Sequence, residues 1–201
     1  MAKNKGVLIV ISGPSGAGKG TICKALLEKH KDIHLSVSAT TRNPRQGEVH
    51  GINYYFLNKD EFLKKVEEDD FLEWAEVYGN CYGTPKSNVQ ELLDSGKDVI
   101  LEIDIQGALK VKENTEEGVF IFILPPSMEE LKARIIKRGS ETPESLKTRM
   151  ESAYDEISFA SKYDYAVVND EVEDAVKKIE SIIIAEKCRV FKIKDELLGR
   201  F

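Results

Sequence analysis

A glycine-rich segment placed directly after a short apolar run constrains the fold of this chain more than any other feature. Residues 7–12 are almost continuously apolar and rich in β-branched side chains, which is typical of a strand buried on both faces of a parallel sheet. The segment GPSGAGKGT follows at 13–21, and a helical pattern comes after it. This order predicts a phosphate-binding loop, because backbone N–H groups and the positive end of the helix dipole converge there. Lys19 adds a full charge for the β- and γ-phosphates of a nucleotide.

The loop departs from its common form at one position. Ser or Thr usually follows the lysine and binds Mg²⁺ through its hydroxyl, but this chain has Gly20 there and Thr21 next. Either Thr21 serves instead, or the metal is held through water. The residues predicted to bind phosphate in this loop are Gly13, Pro14, Ser15, Gly16, Ala17, Gly18, Lys19, Gly20 and Thr21.

The rest of the chain repeats the pattern of strand followed by helix. Apolar runs at 99–103, 119–124 and 165–168 each precede a helical pattern, which indicates an α/β fold with a parallel sheet. Short strands and glycine turns interrupt this pattern at 36–90, and a charge-rich stretch with a helix after Pro143 interrupts it again. We therefore predict a parallel-sheet core with helices on both faces, a small mixed α/β insertion and a helical lid. The core would comprise residues 1–35, 91–126 and 155–201. The insertion would comprise residues 36–90, and the lid residues 127–154.

Two carboxylates end the strand predicted at 99–103. Glu102 and Asp104 share one side of it, because side chains in a strand repeat every two residues. In phosphate-loop enzymes a strand-end Asp orients Mg²⁺ or its waters. We therefore expect Thr21 and Asp104 to hold Mg²⁺, either directly or through water.

A second basic cluster lies at 40–48, where Arg42 and Arg45 stand beside threonine hydroxyls and Tyr54 follows. Guanidinium groups match phosphate oxygens, and a tyrosine hydroxyl adds a donor. Next to a phosphate loop, this cluster predicts a second phosphate site.

Composition limits the classes of partner. A net charge of −6 argues against a nucleic-acid binder, and no apolar run reaches the roughly 18 residues of a membrane span. Cys23, Cys81 and Cys188 form no metal-spaced pair and no disulfide framework, so we expect a cytoplasmic protein. An apolar tail after Lys187 leaves open whether the chain forms a homo-oligomer.

Four segments together resemble the guanylate kinase family. They are SVSATTRNPRQGEVHGINYYF, FLEWAEVYGNCYGTP, ILEIDIQGA and RGSETPESLKTRM. The resemblance implies a P-loop NTPase-type core, a GMP-binding insertion, a lid, and transfer of a phosphoryl group from ATP, bound with Mg²⁺, to GMP.

The resemblance also implies roles for individual residues. The phosphate of GMP would be held by Arg42, Arg45, Tyr54 and Tyr82. Glu73 would accept hydrogen bonds from guanine N1–H and the exocyclic amine, while the O6/N7 edge would meet Ser38 and Thr84. Asp104 would lie near the base or the metal, and Asn169 near the adenine of ATP. The groups around the transferred phosphoryl would be Lys19, Arg134, Arg138 and Arg149. Phe71 and Trp74, which flank Glu73, are predicted to be core residues.

Two other functions stay open at this point. A nucleoside monophosphate kinase with another base specificity would share the loop and the lid, but not the set Ser38, Glu73 and Thr84. A non-catalytic guanylate kinase-like module would bind phosphopeptides in the GMP site and would have lost parts of the ATP site. Lys19, Asp104 and the lid arginines favour the enzyme.

Overall fold

Strands and helices alternate along most of the chain, as the sequence pattern predicts. The computed structural model describes residues 5–77, 79–115, 117–137 and 143–190. The strands are β1 (Leu8–Ser12), β2 (Ile33–Leu35), β3 (Ala39–Thr40), β4 (Tyr55–Phe56), β5 (Phe71–Val77), β6 (Asn80–Pro85), β7 (Asp98–Glu102), β8 (Val119–Leu124) and β9 (Tyr165–Val168). The helices are α1 (Lys19–Lys29), α2 (Lys59–Glu67), α3 (Lys86–Asp94), α4 (Ile105–Asn114), α5 (Met128–Lys137), α6 (Pro143–Ser158) and α7 (Val172–Lys187), with a 3₁₀ turn at Phe159–Lys162.

The central sheet is parallel throughout and runs in the order β2-β7-β1-β8-β9. Every residue of β1 is buried, and its side chains alternate between two apolar clusters. Ile9 and Ile11 pack with residues of α1 and α7, whereas Leu8 and Val10 pack with residues of α3 and α4. This confirms the predicted α/β core with helices on both faces.

The register of the sheet brings the candidate site residues to one edge. Ile11 near the end of β1 pairs with Glu102 at the end of β7. The glycine-rich loop after β1 and the acidic segment after β7 therefore leave the sheet side by side. In open α/β folds, ligands bind at this carboxyl edge of the strands.

A second, mixed sheet in the order β4-β3-β6-β5 lies within the predicted insertion. Helix α2 begins at a capping box between Asn58 and Glu61, and its Phe62 is fully buried against Phe71, with ring centroids 4.6 Å apart. The exact bounds of core, insertion and lid stay predictions.

The predicted lid contains two helices packed on each other. Leu131 and Ile135 of α5 form a buried cluster with Ala153 of α6. Pro143 is the first residue of α6, where its fixed φ suits a helix start. Arg138 lies outside the described residues. Across the described ranges, no helix is both long and apolar enough to cross a bilayer.

Some local predictions were wrong or incomplete. The strand predicted at 99–103 is β7 at Asp98–Glu102, shifted by one residue at each end. The strands β2 and β6 were not predicted, because β2 is a three-residue edge strand and β6 contains glycine and proline.

The prediction that Phe71 is a core residue is confirmed, but the same prediction for Trp74 was wrong. Trp74 is 36% exposed. Its ring lies 5.7 Å from the ammonium of Lys110, so an amphipathic contact takes the place of core packing.

Candidate active site

The glycine-rich segment forms a loop between β1 and α1. Gly18 caps α1 with a φ of 95°, a left-handed conformation that favours glycine. The Nζ of Lys19 donates to the carbonyl oxygens of Gly13 at 2.6 Å and Pro14 at 3.2 Å, so the side chain folds back over the loop. The loop residues thus present a lysine and a helix N-terminus together, which suits an anionic ligand.

Asn169 lies on the other side of this loop, directly after β9. It is 2% exposed, and its Nδ2 donates to Ala17 O at 2.7 Å. A Cβ on Gly18 would come within 2.3 Å of that Nδ2, so a side chain at position 18 would expel Asn169. The Oδ1 of Asn169 is buried and has no hydrogen-bond partner among the described residues.

Asn169 shares a cleft with Thr21 and Arg134. The Nε of Arg134 donates to Glu130 Oε1 at 2.8 Å, and its Nη1 lies 3.9 Å from the Cβ position of Gly18. This cleft brings together the phosphate loop and the two other residues predicted to bind ATP.

A second cavity opens where the central sheet meets the insertion. Its lining includes the predicted GMP-site residues Ser38, Tyr54, Glu73, Tyr82 and Asp104, together with Glu102. Thr84 joins them through its hydroxyl, which donates to Glu73 Oε1 at 2.7 Å. Residues more than sixty positions apart in the sequence therefore share one cavity.

Glu73 is a strongly perturbed carboxylate in this cavity. It is 8% exposed, and burial raises its pKa to about 7, with a further rise from the charge of Asp104. The Thr84 hydroxyl and Lys110 act in the opposite direction on this pKa. A buried carboxylate held by the hydroxyl and the backbone N–H of Thr84 still has acceptor positions for a ligand that donates.

Asp104 takes its position from helix α4. Its Oδ1 accepts the N–H of Gly107 at 2.7 Å, which caps the helix. A Cβ on Gly107 would lie 2.9 Å from Glu73 Oε2, so glycine at this position lets the buried acid approach the helix. Gly107, within the QGA segment that follows the two carboxylates, therefore leaves room for Glu73 in the cavity.

The basic cluster is ordered by an acid that the sequence reasoning did not assign. Glu48 accepts from Arg42 Nη1 and Nη2 at 3.0 and 2.9 Å and from the Arg45 backbone N–H at 2.6 Å. The ion pair with Glu48 raises the pKa of Arg42, and the Tyr82 hydroxyl contributes to that rise. The Arg42 guanidinium carbon lies 5.5 Å from the Tyr54 ring centroid. Glu48 was present in the quoted motif, but a surface glutamate gives no signal of this role.

Glu156 of α6 is a second residue that the sequence reasoning missed. Its carboxylate lies beside the backbone N–H of Ser15 in the phosphate loop and within electrostatic range of Lys19 and Asp104. Burial raises its pKa, and the contacts with Ser15 and Lys19 oppose that rise. Its place on a charged helix offered no sequence signal.

The structure does not bring all predicted residues together. Thr21 lines the cleft with Asn169, whereas Asp104 lines the cavity with Glu73, so the two residues predicted to hold Mg²⁺ face different spaces. The physical reason is that Thr21 lies on α1, while Asp104 is committed to the start of α4. Arg149 is exposed on α6, and Arg138 lies outside the described residues.

A glycine-rich loop at the edge of a parallel sheet, with a second cavity whose Tyr54 contacts the basic cluster at Arg42, defines a P-loop kinase. A family model described as guanylate kinase matches residues 5–186 of the chain. The chain belongs to the guanylate kinase family, which confirms the resemblance drawn from the sequence.

Known relatives agree with this assignment. Guanylate kinase of Clostridium perfringens (strain SM101) is 77% identical over 97% of this chain and 90% of that protein. Guanylate kinase of Clostridium tetani is 70% identical over 96% and 93%. The crystal structure of guanylate kinase from Anaplasma phagocytophilum matches with a TM-score of 0.80 at 38% identity, covering 100% of this chain and 97% of that one.

Proposed function

We propose that the protein transfers the γ-phosphoryl group of ATP to GMP, giving ADP and GDP. The observation that carries this proposal is the buried pair of Glu73 and Thr84 in a cavity beside the phosphate loop. Family membership supports the same activity.

Guanine is the base that suits Glu73. It offers two adjacent donors, N1–H and the exocyclic amine, and an ionised carboxylate accepts both. Adenine has an acceptor at N1 and no amine at C2, so the acceptor positions of the buried acid that Thr84 does not occupy would stay unpaired. Ser38, Thr84 and Asp104 line the remaining edges of the base.

The phosphate of GMP would lie against Arg42, Arg45, Tyr54 and Tyr82. Arg42 keeps its guanidinium plane oriented by Glu48 and stacked near Tyr54, so little side-chain freedom is lost on binding. These residues would bind the phosphate group and would not distinguish one base from another.

Phosphoryl transfer requires that the two substrates be positioned and that the charge of their phosphates be neutralised. It needs no general base. A phosphate monoester is already a nucleophile near neutral pH. Lys19 would hold the β- and γ-phosphates, and Arg134, Arg138 and Arg149 would approach the moving phosphoryl group from the lid. Asn169 Oδ1, buried beside the loop, would face the adenine. The insertion and the lid would close over the site and exclude water.

Mg²⁺ fits the oxygen-bearing side chains at the carboxyl edge of the sheet. Carboxylates and hydroxyls are its usual protein ligands, and it keeps several of its waters. When bound with ATP it would neutralise charge on the β- and γ-phosphates. Thr21 and Asp104 stay the predicted residues for it, and their different orientations favour contact through water.

We also propose a cytoplasmic location and small-molecule partners for this protein. The described cysteines Cys23, Cys81 and Cys188 are free thiols, which supports a cytoplasmic location. Its partners would be the small molecules ATP and GMP and no nucleic acid, and a homo-oligomer is an open prediction.

The direct test is an assay of ADP release with GMP, AMP, CMP and UMP as separate acceptors. We expect turnover with GMP and little with the other three. A protein that favours another monophosphate would be a kinase of different base specificity. A protein that binds GMP without releasing ADP would be a non-catalytic module.

A further inference from the structure

Two consecutive residues of β5 approach the same face of helix α4. A Cβ built on Gly107 would lie 2.9 Å from Glu73 Oε2, and the Nζ of Lys110 donates to Trp74 O at 2.6 Å. Gly107 and Lys110 are three residues apart in α4, so they lie on one face of the helix. Lys110 therefore contacts the strand one residue away from the carboxylate that we propose binds guanine.

The contact with Lys110 lies at the open edge of this strand. The second sheet has the order β4-β3-β6-β5, so one side of β5 has no neighbouring strand among the described residues. An unpaired carbonyl on such an edge needs another donor, and Lys110 supplies one to Trp74. The ammonium also lies 5.7 Å from the centroid of the Trp74 ring. One lysine thus holds both the backbone and the ring of Trp74 against α4.

The cavity around Glu73 is lined by acids and hydroxyls. Its lining contains four other titratable side chains, those of Tyr54, Tyr82, Glu102 and Asp104. None of the described residues in this lining carries a positive charge. Lys110 lies outside the lining and yet acts electrostatically on Glu73. It therefore supplies a positive charge to an acidic cavity from the helix behind it.

The charges on α4 act on Glu73 in opposite directions. Burial is the main reason that the pKa of Glu73 is raised to about 7. The charge of Asp104 adds to this rise in pKa, and the charge of Lys110 opposes it. Ionised Glu73 is the form that accepts both guanine donors. Lys110 thus favours the form of the acid that binds the base, although solvent and salt weaken the effect because Lys110 is exposed.

We propose that Lys110 is a positioning residue of the base site, which holds β5 against α4 at Trp74 and places a positive charge within electrostatic range of Glu73. It acts through Glu73 and not through a contact with the base, because it does not line the cavity. This inference rests on the proposed function, because it concerns the acid that selects guanine.

The titration of Glu73 in the ligand-free protein tests the proposal directly. Carbon-13 NMR of the Glu73 carboxyl gives its titration midpoint in wild type, Lys110→Gln, Lys110→Arg and Lys112→Gln. We expect Lys110→Gln to move the midpoint to higher pH, because a neutral amide offers an N–H to Trp74 O but carries no charge. Lys110→Arg keeps the charge and should restore the wild-type midpoint. Lys112→Gln is the matched control, since Lys112 on the same helix pairs with Asp164, and it should leave the midpoint unchanged.

Calorimetric titration with GMP gives a second readout. At pH 6, Lys110→Gln should bind GMP about two- to fivefold more weakly than wild type. At pH 8.5 the two proteins should bind GMP alike, because Glu73 is then ionised in both. Lys110→Ala also removes the donor to Trp74, so it should bind GMP more weakly than wild type at both pH values.

Three results would overturn the proposal. They are a Glu73 midpoint that Lys110→Gln leaves unchanged or that Lys112→Gln moves equally, a loss of GMP affinity in Lys110→Gln that is the same at both pH values, as a purely structural role requires, and equal GMP binding by Lys110→Ala and Lys110→Gln at pH 8.5. A wild type that binds no GMP, although its Glu73 midpoint follows the charge at position 110, would instead contradict the proposed function. The two failures are therefore distinct.

Discussion

Replacement of Glu73 by Gln is expected to stabilise the protein and to impair its use of GMP. Burial raises the pKa of Glu73 from 4.5 to about 7, so the folded protein binds this proton more tightly than the unfolded chain. Between these two values the folded state holds more protons, and stability falls as the pH rises. The shift corresponds to a cost of about 3 kcal/mol once the pH is above the folded pKa. A neutral amide avoids that cost and still accepts the Thr84 hydroxyl.

Urea unfolding of wild type and Glu73→Gln at pH 5 and pH 8 measures this effect. The variant should gain about 2–3 kcal/mol of unfolding free energy relative to wild type on going from pH 5 to pH 8. Glu76→Gln on the same strand is the matched control, because Glu76 is exposed. A difference between wild type and Glu73→Gln that does not change with pH would refute the reasoning, since Glu73 would then ionise like a surface carboxylate.

The same titration should appear in catalysis. Guanine requires the ionised acid, so kcat/KM for GMP in wild type should rise with pH and level off above about 7, the pKa that burial gives Glu73. Glu73→Gln should lose this step and keep only the titration of the substrate. A step of unchanged size in the variant would assign the titration to another group.

Three further predictions address the loop, the core and closure. Lys19→Ala should lower kcat by more than about tenfold and leave GMP affinity nearly unchanged, as measured by steady-state kinetics and calorimetry. Asp98→Asn should lower the unfolding free energy by about 2 kcal/mol, because Asp98 is buried and joins the Val7 N–H to Lys187; an unchanged urea midpoint would contradict this. A bisubstrate analogue should reduce the radius of gyration in small-angle scattering, and an unchanged radius would argue against a hinged mechanism.

Features specified by neighbouring residues could be predicted from the sequence. The continuous apolar run of β1, the glycine loop and Pro143 at the start of α6 are local signals, and the structure confirms them. The parallel sheet followed from the repeated order of strand and helix. The prediction that Glu73 binds the base came from the resemblance to the guanylate kinase family and not from the spacing of residues in the sequence.

Features that depend on tertiary approach could not be predicted. The raised pKa of Glu73 arises from burial and, after it, from the charge of Asp104, which lies 31 positions later in the sequence. In the sequence, Glu48 and Glu156 look like ordinary surface charges. In the structure, Glu48 lies beside Arg42 and Glu156 lies beside Ser15. Thr21 and Asp104 come from separate segments that were predicted to hold one Mg²⁺, yet they line different spaces in the structure.

The central claim is that Glu73 selects guanine while Arg42 binds phosphate without regard to the base. It is tested by kcat/KM for GMP and AMP in wild type, Glu73→Gln and Arg42→Ala. We predict that wild type favours GMP by about 10⁴-fold, that Glu73→Gln removes most of this preference, and that Arg42→Ala lowers both values by a similar factor. A GMP to AMP ratio in Glu73→Gln equal to that of wild type would contradict the account and make Glu73 a structural acid beside Thr84.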